Sequence, residues 1–150
     1  MKYLGKGLLS LVALVTGIGC YIADWNETHI YNPTWPPHAK FHNAQTMLFG
    51  TVACLLSLFF LWRPRATKSD LQAATAFAGM YWVTQMGSIF FPGTALFDPT
   101  PQHPSMPVVL GFTMTQVHMD VVLLALTAAG YVLTLRQMGD VRGASAMVEA

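Results

Sequence analysis

The chain reads as an all-α integral membrane protein, a four-helix bundle in a single domain spanning 1–150, and three observations lead there. Only 10% of its residues are charged and 53% are hydrophobic, against roughly 25% charged in soluble domains. Apolar stretches at 4–23, 41–62, 71–91 and 107–135 each reach the ~20 residues a helix needs to cross a bilayer. The formal net charge is +1, without the basic stripe a nucleic-acid partner requires.

Taken in order, the first stretch is flanked by Lys2 and Lys6 and runs to Ala23. Its Gly-Ile-Gly-Cys20 segment is similar to a lipoprotein cleavage site. Gly17, however, stands where that site has a leucine-like residue, and the apolar run continues past the cysteine, so a retained signal anchor is expected. The second stretch follows Pro36-Pro37, which suits a helix start. The third is rich in Ala and Gly, which lets helices approach closely in a membrane. The fourth is overlong, which permits tilt or an interfacial first turn. Cys20 and Cys54 fall in different spans and at different depths, and are read as small packing residues rather than a disulfide.

Seven of the eight basic residues lie at the termini or in the 63–68 turn, and Lys40 is the exception. The excess of Lys and Arg on cytoplasmic loops then puts both termini in the cytoplasm of an inner or plasma membrane. The two Pro-rich loops face outward, where Trp25, Tyr31, Trp35 and Phe97 suit an aromatic belt.

Most reactive side chains sit in one polar stretch, DWNETHIYNPTWPPHAKFHNAQ, from Asp24 to Gln45. His38, His42, Gln45 and Phe49 follow i, i+4, i+7, i+11 and share a helix face. Tyr81, Thr84, Gln85 and Ser88 repeat the device on the third helix, and Thr113, Gln116 and Asp120 on the fourth. A carboxylate near the bilayer centre costs about 2.5–3.5 kcal/mol on insertion scales, so Asp120 should face the interior with a partner. His42 is the expected partner; His118, about 200° around the helix from Asp120, is not. An outward-facing pocket is therefore expected from Asp24, His38, His42, Gln45, Gln85, Gln116 and Asp120. Asp24, His42 and Asp120 are its expected catalytic groups, with Trp35 and Tyr81 as further ligand contacts. The blander roles are interhelical hydrogen bonding for Gln85, Ser88, Thr113 and His118, solvation or capping for Glu27 and His29, and interfacial anchoring for the tryptophans.

A histidine and a carboxylate in a low-dielectric pocket suit acid–base chemistry. The favoured function is binding of a hydrophobic small molecule or lipid, with isomerisation, cyclisation or hydration of it, without metal or cofactor. One alternative is a metal site, since His38 and His42 have the i, i+4 ligand spacing and His29, Asp24 or Glu27 could complete it. Another is a non-catalytic membrane subunit or lipid-binding chaperone. A transport pathway would need a homo-oligomer, because 150 residues supply few pathway elements.

The segments DWNETH and NPTWPPHAKFHNAQT, with WPPHAKFHNAQ as the most specific part, resemble an uncharacterised family of small four-span membrane proteins of bacteria and fungi. That resemblance covers most of the chain and implies the four-helix fold without an activity. More loosely, the layout is similar to the EXPERA group of sterol isomerases and sterol-binding proteins. Asp24 would take the place of that group's acidic residue near the end of span one, and His42 or Gln45 its polar groups in span two. Where that group tends to use glutamate, this chain has Gln45, which does not shuttle a proton as a carboxylate does.

Overall fold

Four helices form, and each boundary has a local cause. The computed structural model describes residues 3–96 and 108–148, with only the backbone of 140–148. Helix α1 spans Leu4–Asp24, α2 Pro37–Trp62, α3 Lys68–Ser88 and α4 Gln116–Val148. The Asn26 amide ends α1 by donating to the Ala23 carbonyl at 2.6 Å. Extended Pro36 precedes α2, with Pro37 in its first turn, where a missing N–H costs no helical hydrogen bond. A capping box opens α3: Thr67 Oγ1 accepts from the Asp70 N–H at 3.2 Å, and Asp70 Oδ2 accepts from the Thr67 N–H at 2.7 Å.

The fourth helix starts later than its apolar run suggests. Val108–Val109 and Phe112–Thr113 pair as antiparallel two-residue strands, β1 and β2. Leu110 and Gly111 between them have φ of 52° and 83°, the left-handed pair of a tight hairpin turn. Left-handed backbone cannot continue a helix, and Val and Phe favour strands, so 107–135 is not one span and Thr113 has no helical phase with Gln116 and Asp120. The Thr115 N–H donates to His118 Nδ1 at 3.1 Å, which makes His118 a local cap for α4 rather than an interhelical link. Most of the second Pro-rich loop, including Phe97 and His103, lies outside the described residues.

The helices run up and down in turn. At one end, the loop end, Asn43 of α2 reaches Asp24 of α1; at the other, the basic end, Lys6 reaches Leu61. Helices α1 and α3 each pack on α2 and α4 and touch each other, whereas α2 and α4 do not meet among the described residues. Large apolar side chains cover the outside, with Ile18, Ile22, Leu48, Leu55 and Phe59 all more than half exposed. Thr16, Ser57, Thr127, Thr134 and Asp120 are buried. Thr127 and Thr134 bond carbonyls of their own helix, whereas Ser57 and Thr16 bond across to α3.

Three helical segments, Leu4–Asp24, Pro37–Trp62 and Gln116–Gly139, are long and apolar enough to cross a membrane. Helix α3 does not reach that composition, because Gln72, Thr75, Thr84, Gln85 and Ser88 dilute its apolar residues. It holds its place through interior bonds instead: Ser57 Oγ donates to the Ala74 carbonyl at 2.9 Å, and Trp82 Nε1 to Thr16 Oγ1 at 2.9 Å. Trp82 is thus a core residue, not an interfacial anchor. The free thiols of Cys20 and Cys54 are buried, each seated over a glycine of the opposite helix, Cys20 on Gly50 and Cys54 on Gly17.

Candidate functional site

The loop end gathers polar side chains from α2, α3 and α4 into three neighbouring arrangements. The first follows from the α2 spacing. His38 and His42 lie one turn apart, their Nε2 atoms at 3.1 Å, and His42 Nδ1 is 3.1 Å from Gln45 Oε1. With the Gln45 oxygen as acceptor, His42 Nδ1 must carry a proton. The second His42 nitrogen then accepts from His38, and the chain of donors runs from His38 through His42 to Gln45. His38 also stacks on Phe41, with ring centroids 6.1 Å apart.

The second arrangement is a groove of about 370 Å³ between α2 and α3, lined by Gln45, Thr46, Phe49, Tyr81, Thr84, Gln85 and Ser88. The polar faces of the two helices therefore meet, and Gln45 joins the histidine chain to the groove. Phe49 and Tyr81 stack at 6.4 Å to form an apolar wall. A mostly apolar cleft of this size with a few convergent polar groups has the form of a small-molecule site.

The third is a smaller cavity of about 150 Å³ between α3 and α4, which shares Gln85 and Ser88 with the groove and is also lined by Gln116 and Asp120. Asp120 is 1% exposed, and among the described residues neither of its carboxylate oxygens has a hydrogen-bond partner. The expected pairing with His42 is not made, because α2 turns His42 toward His38 and Gln45 while α3 stands between α2 and α4. Gln116 and Asp120, one turn apart on α4, do line one cavity.

Asp24 and Trp35 belong to a separate cluster under the first loop. Asn43 Nδ2 donates to Asp24 Oδ2 at 2.9 Å, and His29 Nε2 lies 3.8 Å from Asp24 Oδ1. His29 Nδ1 is 2.8 Å from Thr28 Oγ1, and the ring meets Trp35 edge-on at 5.2 Å. These contacts brace the loop, and neither Asp24 nor Trp35 lines the groove or the smaller cavity. Sequence reasoning passed over Asn43 and Thr46. The spacing of Asn43 to Met47 and Gly50, all buried, was the available signal that Asn43 faces inward.

For a metal, His38 and His42 offer two nitrogens on one face. Among the described residues no group of three or more His, Cys, Asp and Glu side chains is placed to hold an ion, whereas catalytic zinc takes three protein ligands.

Fold and site together define a small helical bundle, three of its helices long and apolar enough to cross a membrane, with a groove that carries a few polar groups beside a buried carboxylate. The chain belongs to a family of unknown function, DUF6640, whose pattern matches residues 8–146. No curated protein and no solved structure matches it.

Proposed function

We propose that the chain is a four-span integral membrane protein, both termini cytoplasmic, that binds a lipid- or terpenoid-like small molecule in the loop-end groove and isomerises or cyclises it by proton transfer at Asp120. The observation that carries this reading is the buried Asp120 carboxyl, without a hydrogen-bond partner among the described residues, in a cavity that shares Gln85 and Ser88 with the groove. An intramembrane carboxyl that only held helices together would be bonded to one of them. Here it lines a cavity next to the groove instead. Double-bond isomerisation needs one proton delivered to an alkene carbon and one removed from the allylic carbon. A protonated Asp120 gives the first and its carboxylate takes the second, so no oxidant or reductant is involved. The Gln45 amide, whose oxygen accepts from the histidine chain, has its NH2 group to offer a single oxygen atom on an otherwise apolar ligand.

The test is mass spectrometry of the lipid extract that co-purifies with the protein, with metal analysis of the same sample. A defined apolar molecule is expected in the wild type and not in Thr84→Trp, which fills the groove from its exposed wall. Identical extracts from both would sink the groove as the binding site, and stoichiometric zinc or iron lost in His42→Ala would move the function to metal chemistry.

Orientation has its own check. Reporter fusions at Pro33 and Pro101 are expected to read exoplasmic and one at Ala66 cytoplasmic; the reverse pattern would place the groove on the wrong side.

A further inference from the structure

At the basic end, away from the groove, the structure assigns a second binding site: a pocket for the phosphate of an anionic phospholipid, with Arg65 as the residue that reads its charge. The cavity, about 160 Å³, is lined by Lys6, Arg63 and Arg65 together with Phe60, Leu71 and Met138. Three cations thus meet an apolar floor, with Asp70, bonded to Arg63, as the carboxylate beside them.

Two of the cations are held in place with donors to spare. Lys6 Nζ donates to the Leu61 carbonyl at 2.8 Å and lies 5.0 Å from the centre of the Trp62 ring, which leaves further N–H groups of the ammonium. Arg63 binds Asp70 Oδ1 through Nη1 alone at 3.1 Å. Arg65 makes no hydrogen bond or ion pair with the described residues. Its backbone is left-handed, φ 56°, in the turn after Pro64, where glycine is the unstrained choice. An arginine at a position that favours glycine, lining a cavity and unpaired among the described residues, is strain of the kind that accompanies ligand sites.

The depth of the pocket decides which phosphate. Lys6 of the pocket lies over Trp62, which packs on Tyr3 with centroids 6.2 Å apart, and aromatic pairs of this sort sit at headgroup level. Basic pockets between helices at that level take anionic headgroups, and a guanidinium matches phosphate oxygens two at a time. The cavity holds a headgroup phosphate, while the acyl chains lie along the apolar outside of the bundle. The site requires the bundle to lie in a membrane but is independent of any chemistry at Asp120.

The experiment uses the full chain in nanodiscs of phosphatidylcholine with or without phosphatidylglycerol, reading lipid retained after detergent exchange and the thermal midpoint. Wild type is expected to retain phosphatidylglycerol preferentially and to gain midpoint from it. Arg65→Gly relieves the backbone, so it should be at least as stable as wild type in phosphatidylcholine yet lose about five-fold in preference. Arg65→Gln, which keeps the strain and removes the charge, should lose the same preference, and Asp120→Asn should lose none. Unchanged preference in both Arg65 variants overturns the site. Inorganic phosphate raising the midpoint in phosphatidylcholine as much as phosphatidylglycerol does would also overturn it, in favour of a free anion.

Discussion

Asp120→Asn is expected to leave a folded, inserted protein whose acid–base activity has fallen by about 10²–10⁴-fold, the usual contribution of a positioned proton donor. Asparagine keeps the shape of the side chain and remains a polar group in the same cavity. The exchange breaks no hydrogen bond, because the carboxylate oxygens have no partner among the described residues to give up. The same variant separates ligand binding from pH. An uncharged ligand entering beside Asp120 excludes water from the carboxyl and so favours its neutral form. By linkage, wild-type affinity should be higher at about pH 5 than at about pH 8, whereas Asp120→Asn should bind equally at both. Flat wild-type binding across that range, with activity unchanged in the variant, would remove Asp120 from the function.

The largest effect on stability is expected at Gly5, where α1 crosses α4. A Cβ there would lie 2.6 Å from the Thr134 nitrogen and 2.7 Å from the Gly130 oxygen. Both are backbone atoms of α4 and cannot swing aside as a side chain would. Across the same contact, a Cβ on Gly130 would meet the Gly5 oxygen at 3.0 Å. Gly5→Ala must therefore push the two helices apart, at the upper end of the ~1–3 kcal/mol that overpacking costs or beyond it. Nearby Gly7 has nothing within 4 Å of its hypothetical Cβ, so Gly7→Ala should gain helix propensity, about 0.5–1 kcal/mol. Unfolding of the two variants in detergent, followed by circular dichroism, gives the comparison. Equal midpoints would mean that the α1–α4 crossing is not set by this contact.

The sequence by itself determined what lies within single helices. Length and apolar composition located α1 and α2 to within a few residues at each end. Spacings of three and four put His38, His42 and Gln45 on one face and Tyr81, Thr84, Gln85 and Ser88 on another, because 3.6 residues per turn leaves no choice. It also marked Asp120 as a carboxyl in an apolar run and put every basic residue but Lys40 at the termini or in the 63–68 turn.

Only the tertiary structure decided how those faces are rotated and how deep they lie. Helix rotation follows from contacts between residues distant in sequence: Gly5 on Gly130, Cys20 on Gly50, Cys54 on Gly17, and Trp82 on Thr16. Those contacts place α3 between His42 and Asp120, so the pair expected from their chemistry does not form, and Gln85 and Ser88 come to line both the groove and the cavity that holds the carboxyl. They also bring Asn43 onto Asp24, which takes Asp24 out of the groove. At residues 108–113 the apolar run does not continue as helix, because the left-handed turn at Leu110 and Gly111 allows a hairpin and forbids a helix. Periodicity fixes which residues of one helix look the same way; what they look at is set by close packing between helices.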